Sequence, residues 1–77
     1  MNNYKKDLMD KLESLRKEVE SSKNYFGQVA QECTEEYYSS DNYGCYWESA
    51  CATRAVDAAE IFLFLLTEMR DRFDKLA

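Results

Sequence analysis

The chain has 77 residues, with 15 acidic against 10 basic side chains, a formal net charge of -5, three cysteines and no histidine. That length makes one small domain, residues 1–77, in a size range that often needs an oligomer, a metal or a disulfide to reach useful stability. Without His there is no ordinary zinc site and no usual base for a Cys nucleophile, and no Cys-x-x-Cys pair occurs, so no metal, no cofactor and no enzymatic activity are expected.

The amino terminus, Met-Asn-Asn-Tyr-Lys-Lys-Asp, carries charge where a signal peptide has its apolar core, so a reducing, cytoplasmic setting and free thiols are expected. The longest apolar run, Ile61 to Leu66, is six residues, against roughly 20 for a bilayer span. Pro is absent and Gly occurs twice, which suits long unbroken helices.

Asn2 or Asn3 can cap a first helix, expected over residues 4–38, because a short side-chain oxygen accepts from an otherwise unpaired backbone amide. Apolar residues fall at Leu8, Leu12, Leu15, Val19, Phe26, Val29, Cys33 and Tyr37, in steps of three and four with Ser22 keeping phase. Charged side chains fill the other faces, with pairs such as Glu13 and Lys17 four apart. Gly27 costs a helix interior about 1 kcal/mol, so close approach of a helix or a ligand is expected to offset it.

A turn is expected over residues 39–44, where Ser39, Ser40, Asp41 and Asn42 are turn formers and Gly44 tolerates a positive backbone angle. A second helix is expected over residues 45–75, with its stripe at Trp47, Cys51, Ala55, Ala58, Ile61, Leu65, Met69, Arg72 and Leu76. Paired from the outside inward, Leu8 with Leu76, Leu15 with Met69, Phe26 with Ala58, Cys33 with Cys51 and Tyr37 with Trp47 have numbers that add to one constant. That is the arithmetic of an antiparallel two-helix hairpin, coiled-coil-like and all-α, folded about residue 42, and helices this long make a rod of about 50 Å. Small residues in the second helix, Ala50, Ala52, Ala55, Ala58 and Ala59, either interlock with Phe26 or leave a cleft.

Ile61 to Leu66 is apolar all the way round, more than a helix with one neighbour requires. Phe62, Leu63, Phe64 and Leu66 are therefore the expected oligomer interface, making a homodimer that forms a four-helix bundle, or a larger homo-oligomer. Burying four such side chains, at about 1.5–3 kcal/mol each, outweighs the cost of pairing two subunits.

Residues 24–53 hold Glu32, Glu35, Glu36, Asp41 and Glu48 and no basic residue, while the rest of the chain is balanced. The whole net charge thus sits at the bend, together with Tyr37, Tyr38, Tyr43, Tyr46 and Trp47. Tyr and Trp concentrate binding energy at interfaces, so Glu32, Glu35, Glu36, Tyr38, Asp41, Tyr43, Tyr46 and Glu48 are the candidate partner-binding set. Carboxylates interleaved with aromatics complement a basic cleft of the kind that handles nucleic acid. In size, charge and helicity the chain is similar to small phage-encoded inhibitors of host defence, including anti-CRISPR proteins and DNA mimics. That likeness covers no motif; it implies a basic host protein as partner and an inhibitory role.

A second possibility is a homo-oligomer that sequesters a small anionic ligand, such as a nucleotide signal, between subunits. Its candidate residues are Arg54 for phosphate, Tyr25 or Trp47 for stacking, and Gln28 and Thr53 for hydrogen bonds. Arg54 otherwise pairs with Asp57 or Glu32. A third is a structural coiled-coil assembly module. No direct contact with nucleic acid or membrane is expected, and the cysteines are read as small apolar residues, Cys33 and Cys51 facing each other too far apart to bridge.

Overall fold

A computed structural model describes residues 4–40 and 43–75, and for Ser40, Tyr43 and Gly44 the backbone alone. Two helices, α1 (Tyr4–Ser40) and α2 (Tyr43–Asp74), pack against each other as a hairpin measuring 62 × 15 × 12 Å. The expected caps Asn2 and Asn3 and the expected turn formers Asp41 and Asn42 lie outside the described residues, as does Leu76. No described helix is long and apolar enough to cross a membrane.

Cross-helix contacts fix the register. Glu13 meets Arg70 at 3.7 Å, Lys23 meets Glu60 at 3.5 Å, Tyr37 stacks obliquely on Tyr46, and Thr34 hydrogen-bonds Ser49. The numbers in each pair share one constant sum, one less than that of the expected pairing. Ser49 also donates to the Ala30 carbonyl at 3.2 Å, so its hydroxyl proton is committed and Thr34 is the donor between the two side chains. At the open end the Lys5 ammonium donates to the Asp74 carbonyl at 3.1 Å, a cation on the negative end of α2.

The face that α2 turns toward α1 differs from the expected one. Among the described residues the buried apolar side chains are Cys45, Ala52 and Leu66, whole heptads apart, with half-buried Ser49, Val56, Ala59, Leu63 and Phe73 completing the stripe. On α1 the matching stripe is Met9, Leu12, Arg16, Val19, Lys23, Ala30, Cys33 and Tyr37. Ala55 apart, which is half-buried, the described part of the expected α2 stripe points outward: Trp47 is 67% exposed and Ile61 63%, and Leu65 and Met69 are about half exposed. Size explains the choice. Ser49, Ala52 and Ala59 let the two backbones approach closely, whereas Trp47 and Ile61 in the seam would hold them apart.

Two consequences follow for the expected oligomer set. Leu66, 4% exposed, and half-buried Leu63 belong to the hairpin's own seam, while Phe62 and Phe64 stand exposed. Gly27 does not mark a close approach either, because a Cβ built there meets nothing within 4 Å.

Near the open end, Arg16 binds Glu13 at 2.7 Å and Glu20 at 2.8 Å. The Arg16 hydrogen bond holds the Glu13 carboxyl below its ordinary value, with burial opposing it and Lys17 and Arg70 adding field. Glu13 is thus paired with Arg16 and Arg70 in place of the expected Lys17.

Candidate functional site: the closed end of the hairpin

The antiparallel register brings the last two turns of α1 against the first two of α2. Tyr37 lies half-buried between the helices and is the pivot of an aromatic ladder. Its ring meets Tyr38 at 5.3 Å and Tyr46 at 5.5 Å, and Tyr46 meets Trp47 at 5.3 Å, edge to face at both ends. These separations lie in the range where aromatic pairs attract, so four rings are held as one rigid surface. Tyr38 is 79% exposed, Trp47 67% and Tyr46 47%. Tyr37, Tyr38 and Tyr46 also line a shallow hollow of about 200 Å³ with Thr34, Ser49 and Ala50.

The carboxylates Glu32, Glu35, Glu36 and Glu48 stand on the helical turns at and beside this ladder, all exposed. Two are steadied by amides one turn away: Gln28 donates to Glu32 at 3.1 Å and Gln31 to Glu35 at 3.2 Å. Asp41 lies outside the described residues, and of Tyr43 only the backbone is described. The structure therefore gathers Glu32, Glu35, Glu36, Tyr38, Tyr46 and Glu48 of the expected partner-binding set at one end, and adds Trp47 to it.

The candidate ligand-binding residues are not gathered in the same way. Tyr25, edge-on to Phe26 at 5.6 Å, lines an open hollow of about 290 Å³ with Val29, Glu48, Cys51 and Ala52. Its charged group is the carboxylate of Glu48, which opposes an anion. Gln28 is occupied with Glu32, Trp47 belongs to the ladder, Thr53 is exposed, and Arg54 is exposed and pairs with neither Asp57 nor Glu32.

A group absent from the sequence-based reading lies beside the ladder. Cys33 faces Cys45 and Glu48 in place of Cys51, which is exposed. The Cys33 thiol donates to the Glu48 carboxylate at 3.4 Å, and the ligand atoms of Cys33, Cys45 and Glu48 all lie within 4.8 Å of one another. Burial, then the Glu48 carboxylate, pushes the Cys33 thiol up to about 11. Burial, then the Glu36 carboxylate that accepts its hydrogen bond, raises Cys45. Both thiols therefore hold their protons at neutral pH. The signal for this cluster is a repeated pattern, Cys33-Thr-Glu-Glu36 and Cys45-Tyr-Trp-Glu48.

No protein-family model, curated protein or solved structure matches this chain.

Proposed function

We propose that this protein is a non-enzymatic binding protein whose closed end docks on a basic protein surface, of the sort that handles nucleic acid, and that it works as an inhibitor of that partner. The observation that carries the reading is the ladder Tyr38–Tyr37–Tyr46–Trp47, three of its rings exposed, set in an end with carboxylates and no cation. Exposed rings locked edge to face are already ordered, so they bury area on a partner at little conformational cost. The carboxylates supply long-range attraction and select for a cationic partner.

The hairpin is proposed to act as a homodimer. At 9.1 kDa a compact monomer exposes about 4,900 Å², while this chain exposes 6154 Å². The excess, about 1,250 Å² per chain, gives about 2,500 Å² when two copies pair, within the range of obligate homodimers. Leu8, Leu15, Phe26, Ile61, Leu65 and Met69 are among the large exposed side chains that supply it. Val29 and Cys51 line one hollow, and Leu8 and Leu15 follow Val29, and Leu65 follows Cys51, at whole heptads on the same side. Two such faces together make a four-helix bundle.

The test is affinity capture from a host extract with the wild type and with a variant carrying Glu32→Lys, Glu35→Lys and Tyr38→Ala, three exposed positions outside the seam. The expected result is a basic protein retained by the wild type, released by moderate salt and lost with the variant, while helicity by circular dichroism is unchanged. Equal retention of the same partner by a folded variant would refute the assignment of the closed end.

A further inference from the structure

The antiparallel register carries the two Cys-x-x-Glu turns into reciprocal positions. Cys33 and Glu36 are three apart on α1, and Cys45 and Glu48 are three apart on α2, so each pair projects from one face of its helix. Cys33 lies against Glu48, and Cys45 lies against Glu36. Two thiols and the Glu48 carboxylate thus surround one point at the closed end, with both helices contributing, and Glu36 borders it beside Cys45. Thiols serving only as small apolar residues would have no need of a carboxylate each.

We propose that Cys33, Cys45, Glu48 and Glu36 form a binding site for one thiophilic divalent cation of the zinc class. Tetrahedral Zn²⁺ with bonds of about 2.3 Å to sulfur and 2.0–2.2 Å to oxygen holds its donors roughly 3.3–3.8 Å apart. The donor atoms of Cys33, Cys45 and Glu48, already within 4.8 Å of one another, reach that spacing by small side-chain rotations, and Glu36, which takes the Cys45 hydrogen bond, turns in as the fourth donor. Two sulfurs with two carboxylate oxygens select zinc or cadmium over magnesium or calcium, which take oxygen alone. On binding, two S–H bonds break, two metal–sulfur bonds form, and both protons pass to the buffer. The site's net charge is then the same before and after: two carboxylates at the start, four anions and a dication at the end. The bound ion ties α1 to α2 across the turn, and so braces the end that carries the aromatic ladder.

The experiment titrates reduced, chelator-treated full-length protein with Cd²⁺, reading the thiolate-to-cadmium charge-transfer band, and then with Zn²⁺ in competition against a chromophoric chelator. The expected result is saturation at one equivalent per chain, a raised melting temperature, and an unchanged titration for Cys51→Ser, whose thiol lies outside the cluster. Cys33→Ser is expected to halve the band, and Glu48→Gln to weaken binding by about tenfold or more. Glu48 is exposed, so Glu48→Gln tests the site even if a cysteine variant loses the fold. No saturable binding, a band lost in Cys51→Ser, or wild-type affinity in Glu48→Gln would overturn the proposal.

Discussion

Leu65 and Leu66 are neighbours in sequence and lie on different faces of α2, which makes them a direct test of the seam. Leu66 is 4% exposed and sits two heptads from Ala52; Leu65 is 48% exposed on the outer face. Truncating a buried leucine removes its transfer free energy and leaves a cavity, at about 2–5 kcal/mol. A chain of this length has roughly 4–12 kcal/mol of total stability, so Leu66→Ala removes a large share of it. At about 4–8 °C per kcal/mol for a domain of this size, a loss near 3 kcal/mol lowers the melting temperature by roughly 12–24 °C. Leu65→Ala, measured at protein concentrations low enough to suppress association, is expected to cost about 1 kcal/mol or less. Urea unfolding followed by circular dichroism reads both values. A larger loss for Leu65→Ala than for Leu66→Ala under dilute conditions would refute the seam described here.

Further outcomes follow from particular residues. Gly27→Ala is expected to stabilise the hairpin by about 0.5–1 kcal/mol, since the added methyl meets nothing within 4 Å; a loss in urea unfolding would mean that another chain packs there. Ile61→Asp replaces a side chain that is 63% exposed in the single hairpin. At about 1–2 kcal/mol per copy and two copies in the proposed dimer, it is expected to raise the dissociation constant of that dimer roughly 30- to 700-fold in sedimentation equilibrium with helicity retained, and an unaltered constant would exclude this face. Peptide-resolved alkylation is expected to modify exposed Cys51 first, with Cys33 about a hundredfold less reactive than a thiol at its ordinary 9.0, because its thiolate forms only near 11. The same shift has a pH signature: a thiol held protonated in the fold contributes fully below about pH 9, and the contribution is lost as the pH rises from 9 toward about 11. Cys33→Ser is expected to flatten the wild-type decline in melting temperature over that window, and an identical decline would contradict it.

The hairpin, the site of its bend and the register to within one residue were legible because α1 alternates threes and fours over nearly its whole length and α2 answers it in mirror order. The inward face of α2 was not legible, because α2 carries two apolar stripes. One is built of large side chains, Trp47, Ile61, Leu65 and Met69, and the other of small ones, Cys45, Ser49, Ala52 and Ala59, with Leu66. Weight of hydrophobicity favours the first, while close approach of two backbones favours the second, and packing decided it. The acidic and aromatic character of the closed end could be read directly from composition. Its ladder could not, since Trp47 joins it only because Cys45 and Ser49 turn inward and leave residue 47 on the outside. The thiol and carboxylate cluster went unread for the same reason: a pairing of Cys33 with Cys51 hides the repeated Cys-x-x-Glu that the actual face brings together.

The measurement that bears most directly on the proposed pairing of two copies is native mass spectrometry of the reduced protein at micromolar concentration, with and without one equivalent of Zn²⁺. The account predicts a dimer in both spectra, with two metal ions per dimer in the second. A monodisperse monomer would contradict it, because Leu8, Leu15, Phe26, Ile61, Leu65 and Met69 would then stand in water with nothing to cover them.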